Sequence, residues 1–319
     1  MKWLLLGYGD LPQKRLASAL QTAHDSELVQ VWGRQEWKVR NFASSHNIPS
    51  YSSGEEGLEK ALRKSEIDAV YVCTPPHSHY RYTKLALEAG KHVLTEKPFT
   101  TSVETAQELT DSASTLGLTL GVAYYRRFLP TSQFVTDVLN QGTLGKITAV
   151  RISTQRFFNP DPNDPKGWRV DPSRSGGGVL MDVGCHRVDL LAYWFGGLRP
   201  TSLIKQFNNL PYMGEDTALL VGHSPDQVLA EVFVSWASKR WEDSLEIIGS
   251  KGSLVSNNLD RGPVELVYPS KRESFELPFP VNTHQPLAAD FSQAVADGKE
   301  PLCPAKEAVE VLKILNYTP

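Results

Sequence analysis

The sequence predicts an α/β chain made of two unlike halves, a parallel sheet interleaved with helices followed by a longer α+β half with an antiparallel sheet. Three observations carry this expectation. Short apolar runs alternate with helically spaced segments over the first third. A Gly-x-Gly turn, Gly7-Tyr8-Gly9, joins the first run to the first helix. After about residue 122 the texture changes to strand-like alternation with few helices between the runs.

Lys2 to Leu6 reads as a buried first strand, and Gln13 to Ala23 as a helix with Leu16, Ala17, Leu20 and Ala23 on one face. Leu28 to Trp32, Ala69 to Cys73, His92 to Thr95 and Thr119 to Ala123 read as strands. Helices are expected at Glu36 to His46, Glu56 to Lys64, Tyr80 to Ala89 and Val103 to Thr115. Strands separated in this way imply βαβ units and a parallel sheet. In the second half, alternating runs occur at Thr148 to Ser153, Thr217 to Gly222, Val228 to Trp236 and Ser244 to Ile248. A Pro-, Asp- and Asn-containing loop, Phe158 to Asp171, precedes one strong helix at about Gly178 to Phe195. The expected division is 1–121 and 122–319.

The chain has 319 residues, 40% hydrophobic and 22% charged, enough to bury a sizeable core and unlike a disordered composition. A net charge of −3 advertises no basic surface for nucleic acid or anionic lipid. Three widely spaced cysteines, Cys73, Cys185 and Cys303, fit small buried hydrophobes better than a disulfide framework or zinc site. The apolar start stops at Gly7, too short for a signal peptide, and no run is long enough to span a bilayer. A cytoplasmic protein without nucleic-acid or membrane partners is expected.

Gly7-Tyr8-Gly9-Asp10-Leu11-Pro12 follows a strand and opens a helix, the setting of a dinucleotide site. The first glycine permits the tight turn, and the second lets backbone approach a pyrophosphate at the helix N-terminus. Pro12 stands where Gly or Ala is usual. Gly7, Gly9, Asp10 and Leu11 are therefore cofactor-binding candidates. The second strand ends in Gly33-Arg34 rather than a carboxylate. That removes repulsion against a ribose 2′-phosphate and offers it a permanently charged guanidinium, predicting NADP(H) over NAD(H).

Thr95-Glu96-Lys97-Pro98 ends a parallel strand, where open α/β sheets bind ligands. Asp182, His186 and Asp189 recur at helical spacing after Gly176-Gly177-Gly178, and Arg126-Arg127-Phe128 lies just after the change of texture. Hydride transfer at a carbinol carbon must be matched by proton movement at its oxygen. Lys97 and His186 suit that work jointly, with Asp182 orienting the histidine or holding substrate hydroxyls. Asp189 reads as structural or supporting. The aromatic and basic residues of the Phe157 to Arg174 segment, Trp168 and Arg169 among them, suit ring stacking and hydroxyl or carboxylate binding. Arg127 and Tyr125 are further substrate-side candidates. His77 and His79, two residues apart beside Pro76, make no convincing metal pair, and no metal is expected.

Together these motifs resemble the glucose–fructose oxidoreductase/inositol dehydrogenase/MocA family over nearly the whole chain. The resemblance rests on the glycine turn, Thr74-Pro75 with His79, Ala89 to Val93, Glu96-Lys97-Pro98, Arg127-Phe128, Trp168-Arg169, the Asp182/His186 helix and Gly249 to Gly252. It implies an N-terminal Rossmann domain, a C-terminal domain with a large mostly antiparallel sheet, and a homodimer or homotetramer formed through that sheet. It also implies cofactor contacts from Thr74, Pro75, His79, Glu96 and Lys97. The implied chemistry is reversible NAD(P)-dependent oxidation at a hydroxyl of a sugar, cyclitol or related diol. Two other readings stay open: an NAD-dependent glycosidase and a dinucleotide-sensing regulator. Relatives typically extend their last helix beyond the point where Leu315 to Pro319 stops here.

Overall fold

The computed structural model describes residues 1–161, 164–207 and 210–318. The first sheet comprises β1 (Lys2–Leu6), β2 (Glu27–Gly33), β3 (Ser50–Ser53), β4 (Ala69–Val72), β5 (His92–Thr95) and β6 (Leu120–Val122). The order is β3-β2-β1-β4-β5-β6 and every pairing is parallel. The connecting helices are α1 (Ala17–Thr22), α2 (Glu36–Ser45), α3 (Gly54–Leu62), α4 (His79–Glu88) and α5 (Val103–Thr115). Order reverses beside β1, so the glycine turn after β1 lies at the switch point where such sheets bind ligands. Strands β1 and β4 are apolar and almost wholly buried, as a sheet covered on both faces requires.

Helices α6 (Pro130–Asn140), α7 (Pro172–Ser175) and α8 (Cys185–Phe195) belong with the second sheet. Its strands are β7 (Ile147–Phe157), β8 (Arg199–Gln206), β9 (Thr217–His223), β10 (Leu229–Ser235), β11 (Ala237–Gly249), β12 (Ser253–Ser256), β13 (Val264–Val267) and β14 (Arg272–Phe275). Their order is β14-β13-β12-β11-β7-β10-β9-β8, antiparallel except where β7 meets β10. Alternating burial along β10 and β12 shows one face packed and one more open. The α/β class expected from the sequence, a parallel sheet and then a mostly antiparallel one, is the class observed.

Helices α9 (Gln285–Asp297) and α10 (Ala305–Leu315) close the chain. The chain divides into two compact units, Met1–Tyr125 with Val281–Val309, and Arg126–Pro280 with the chain from Glu310 onward. A single cut between residues 121 and 122 does not describe this, because segment 281–309 returns to the first unit. The return is held by apolar burial and by backbone. Phe291 of α9 meets Trp3 of β1 with ring centroids 5.4 Å apart, and Gly121 bridges Pro304 beside β6. Arg15 and Asn282 add polar stitches, Arg15 Nη1 to Thr283 Oγ1 at 2.7 Å and Asn282 Nδ2 to the Arg15 carbonyl at 2.9 Å. No described helix is long and apolar enough to cross a membrane, and the three cysteines are free thiols.

Candidate active site

In the first unit the candidate residues gather at the C-terminal ends of β1, β2, β4 and β5. Gly7 has φ +119°, and a β-carbon on it would stand 2.4 Å from the Cys73 carbonyl oxygen. Only glycine allows β1 to turn that close to the end of β4. At Gly9 a β-carbon would meet nothing within 4 Å, so the backbone there faces open space. Asp10 and Leu11 lead into a π-helical turn, Pro12–Leu16, that continues as α1. Proline is tolerated in that first turn because its missing N–H would lack an intrahelical partner anyway. Asp10 is exposed and pairs with Lys14 at 2.7 Å. Gly33 ends β2 beneath the Tyr8 ring, and Arg34 beyond it is exposed. A tight glycine turn, open space above it and an exposed guanidinium at the end of β2 fit a dinucleotide.

Thr74 and Pro75 follow β4 and are half-buried. His79, expected to touch a cofactor, has no exposed surface. Its Nδ1 lies 2.9 Å from the Pro98 carbonyl and its Nε2 2.7 Å from the Thr74 carbonyl. It is thus a strut between the ends of β4 and β5. Burial pushes its pKa down, opposed by the carbonyls of Thr74, Pro98 and Phe99.

Glu96, the other acidic cofactor candidate, lies at the end of β5. Its carboxylate is buried and accepts the Tyr71 hydroxyl at 2.8 Å and the Lys97 amide at 3.2 Å, with His284 Nε2 at 3.7 Å. Lys97 itself is half-buried between Glu96 and Pro98. Tyr125 packs its ring on His284 at 4.5 Å. His284 was not anticipated from the sequence, where it is an isolated histidine far from every motif.

In the second unit, Gly178 packs against backbone so closely that a β-carbon would stand 2.0 Å from the Glu215 carbonyl oxygen. This contact sets the entry to a second π-helical turn, Leu180–Gly184, which carries Asp182 and runs into α8 with His186 in its first turn. Such turns are rare and often mark functional sites. Asp182 and His186 are both buried. The Asp182 carboxylate accepts Arg169 Nη1 at 3.0 Å and lies 4.0 Å from Arg156 Nη2. Trp168 is half-buried, with the Arg169 guanidinium 5.3 Å from its ring. Pro162 and Asn163 of the expected substrate loop lie outside the described residues.

Arg127 is the arginine expected on the substrate side. It is buried, donates to Asp189 through Nη2 at 2.6 Å, and lies 4.9 Å from the Tyr193 ring. The bond to Asp189 fixes this guanidinium in place. Arg156 was missed, although its position in Gln155-Arg156-Phe157-Phe158, at the mouth of the aromatic loop, was the available signal. Among the described residues no three metal-ligating side chains converge.

The geometry agrees with what the chain is similar to. A family profile described as "Oxidoreductase family, NAD-binding Rossmann fold" matches residues 1–124, and the "GFO/IDH/MocA C-terminal domain" matches 132–255. An uncharacterized oxidoreductase of Synechocystis is 31% identical over 92% of this chain and 80% of its own. The 1,5-anhydro-D-fructose reductase of Ensifer adhaerens is 25% identical over 97% of this chain and 92% of its own. The fold of aldose-aldose oxidoreductase from Caulobacter crescentus superposes with a TM-score of 0.89, at 21% identity over 98% of this chain and 95% of the other. The chain belongs to the Gfo/Idh/MocA family of oxidoreductases.

Proposed function

We propose that this protein is an NAD(P)-dependent dehydrogenase or reductase acting on a hydroxyl or carbonyl of a sugar, cyclitol or related small diol, with NADP(H) preferred over NAD(H). The observation that carries the reading is Lys97, half-buried at the end of β5, in the same unit as the glycine turn. Its strand end is braced by the Glu96 carboxylate and by His79 through the Pro98 carbonyl.

The turn at Gly7 and Gly9 and the following helix start would hold the pyrophosphate, and Arg34 the 2′-phosphate. Thr74 and Pro75 would line the nicotinamide. A bound nicotinamide supplies or accepts the hydride. The proton is the task of the side chains: Lys97 and His186 share its transfer at the substrate oxygen. Asp182, fixed by Arg169, holds the polarity around His186 and the substrate hydroxyls. Trp168 and Arg169 supply an apolar face and a donor for the substrate.

The resemblance to a sugar reductase supports this substrate class, and the family resemblance supports a homo-oligomer formed through the large sheet. A cytoplasmic setting completes the reading. The test is absorbance at the reduced-nicotinamide band with a sugar, polyol and cyclitol panel, using both nucleotides in both directions. Turnover faster with NADP(H) is expected. Nucleotide binding without turnover across the panel would point to a regulator, and product formation without net absorbance change to a redox-neutral hydrolase.

A further inference from the structure

Near the start of α8 two guanidinium groups converge on one carboxylate. Arg126 and Arg187 are met by Asp243 and Asp260. Arg126 pairs with Asp260 at 2.8 Å, while Arg187 pairs with Asp260 at 3.1 Å and with Asp243 on its other side. Arg156 and Arg169, by contrast, approach the same oxygen of one carboxylate, Asp182 Oδ2, at 4.0 and 3.0 Å. Two positive charges share one negative charge.

Among the described residues, Asp182 is the only carboxylate within 4 Å of either guanidinium. Glu242, across the sheet on β11, accepts Gln155 Nε2 at 3.1 Å and pairs with Arg240 at 3.4 Å. Glu215 accepts the Leu180 amide at 3.1 Å. Both guanidiniums are also accessible. Arg156 is 45% exposed and lies over the Phe158 ring, while Arg169 is 34% exposed and lies beside Trp168. Arg169 Nε is buried and has no hydrogen-bond partner among the described residues. Partial burial pushes the Arg156 pKa down; Asp182 opposes that shift, and Arg169, Arg126 and Arg187 add to it.

We infer that Arg156 and Arg169 bind an oxyanion carried by the substrate, a carboxylate or a phosphate, next to the α8 start that carries His186. Guanidinium forks match either group with paired, charge-assisted hydrogen bonds, and the flanking Phe158 and Trp168 rings offer apolar faces to the carbon skeleton. The inference rests on the oxidoreductase reading and narrows it: the two arginines determine specificity for an acidic sugar or cyclitol over its neutral counterpart.

The experiment compares matched probes on the full chain: glucose, glucuronate and glucose 6-phosphate, then inositol and quinate. An anionic member is expected to exceed its neutral partner at least about tenfold in kcat/KM. Arg156→Gln and Arg169→Gln should each shrink that ratio by about tenfold, with Arg156→Lys restoring part of it. Preference for glucuronate or quinate assigns a carboxylate, and preference for glucose 6-phosphate a phosphate. Ratios near one or favouring the neutral members, or ratios unmoved in both glutamine variants, overturn the inference while leaving the oxidoreductase reading intact. Calorimetric titration of glucuronate and glucose 6-phosphate against nucleotide-free protein gives a readout independent of turnover. Binding lost in the glutamine variants supports the inference, and no binding of either probe counts against it. If the whole panel is inert, the oxidoreductase reading fails and this titration alone decides the oxyanion site.

Discussion

The Tyr8 ring occupies the place a side chain on Gly33 would take: a β-carbon there would stand 2.0 Å from Cε1 of the ring. A side chain at Gly33 would therefore require the ring of the residue between the two turn glycines to move. Arg34 is left as the exposed group at that strand end. Arg34→Ala is expected to weaken NADP(H) binding by about one to two decades, the worth of a charge-assisted contact, while NAD(H) binding stays near wild type. Fluorescence titration with both nucleotides checks it, and equal losses for both would remove Arg34 from the 2′-phosphate. Gly33→Asp combined with Arg34→Ala should move the preference toward NAD(H).

Lys97→Ala should retain nucleotide affinity and lose roughly 10²- to 10⁴-fold in kcat, the usual contribution of one positioned proton carrier. Stopped-flow turnover and a separate nucleotide titration divide the two effects. A wild-type kcat would end its assignment to proton transfer.

The Arg127–Asp189 pair, with side chains 1% and 0% exposed, predicts an asymmetric mutational response. Arg127→Met or Asp189→Asn alone breaks this buried ion pair and should cost about 3–5 kcal/mol of stability. The double variant Arg127→Met/Asp189→Leu should recover much of that loss. Urea unfolding of the three variants measures it, and additive losses would refute the pairing.

Acid should weaken the fold from near neutrality, through His79. Burial holds its folded pKa below the ordinary 6.5. As pH falls through 6.5, the unfolded chain takes up a proton that the native state does not yet accept, so stability declines toward the folded pKa. His92, also lowered by burial, adds to the slope in the same direction. Each group contributes at most about 1.4 kcal/mol per pH unit. Urea midpoints between pH 7.5 and 5.5 should fall, and His79→Gln should flatten the decline; an unchanged slope would exclude His79 as its source.

The parallel half was legible because its signals are local. β1 and β4 are continuous apolar runs, and α5 over Val103–Thr115 has clear helical spacing with Ser102 capping its N-terminus. β3, Ser-Tyr-Ser-Ser, has no apolar face to read and is fixed by its pairing to β2. β8 carries Pro200 in a polar run, so only its register with β9 identifies it. The candidate site residues divide in the same manner. Gly7, Gly9, Arg34, Lys97 and His186 stand in motifs whose chemistry is readable from neighbours in sequence. The engagement of Arg127 by Asp189 and of Glu96 by Tyr71 joins residues 62 and 25 positions apart, and no periodicity announces which partner a charge will find. His284 reaches Glu96 only because the chain returns to the first unit at residue 281.

That return has a consequence for the order of events on the ribosome. The nucleotide-binding unit is written first, yet Phe291, which covers Trp3, and Pro304, which bridges Gly121, are made after the whole of the second sheet. Translation at roughly 5–20 residues per second leaves the opening segment waiting some ten seconds or more with part of its apolar surface uncovered. The half whose motifs are easiest to recognise is therefore completed late, and the nascent chain is most vulnerable to aggregation while it waits.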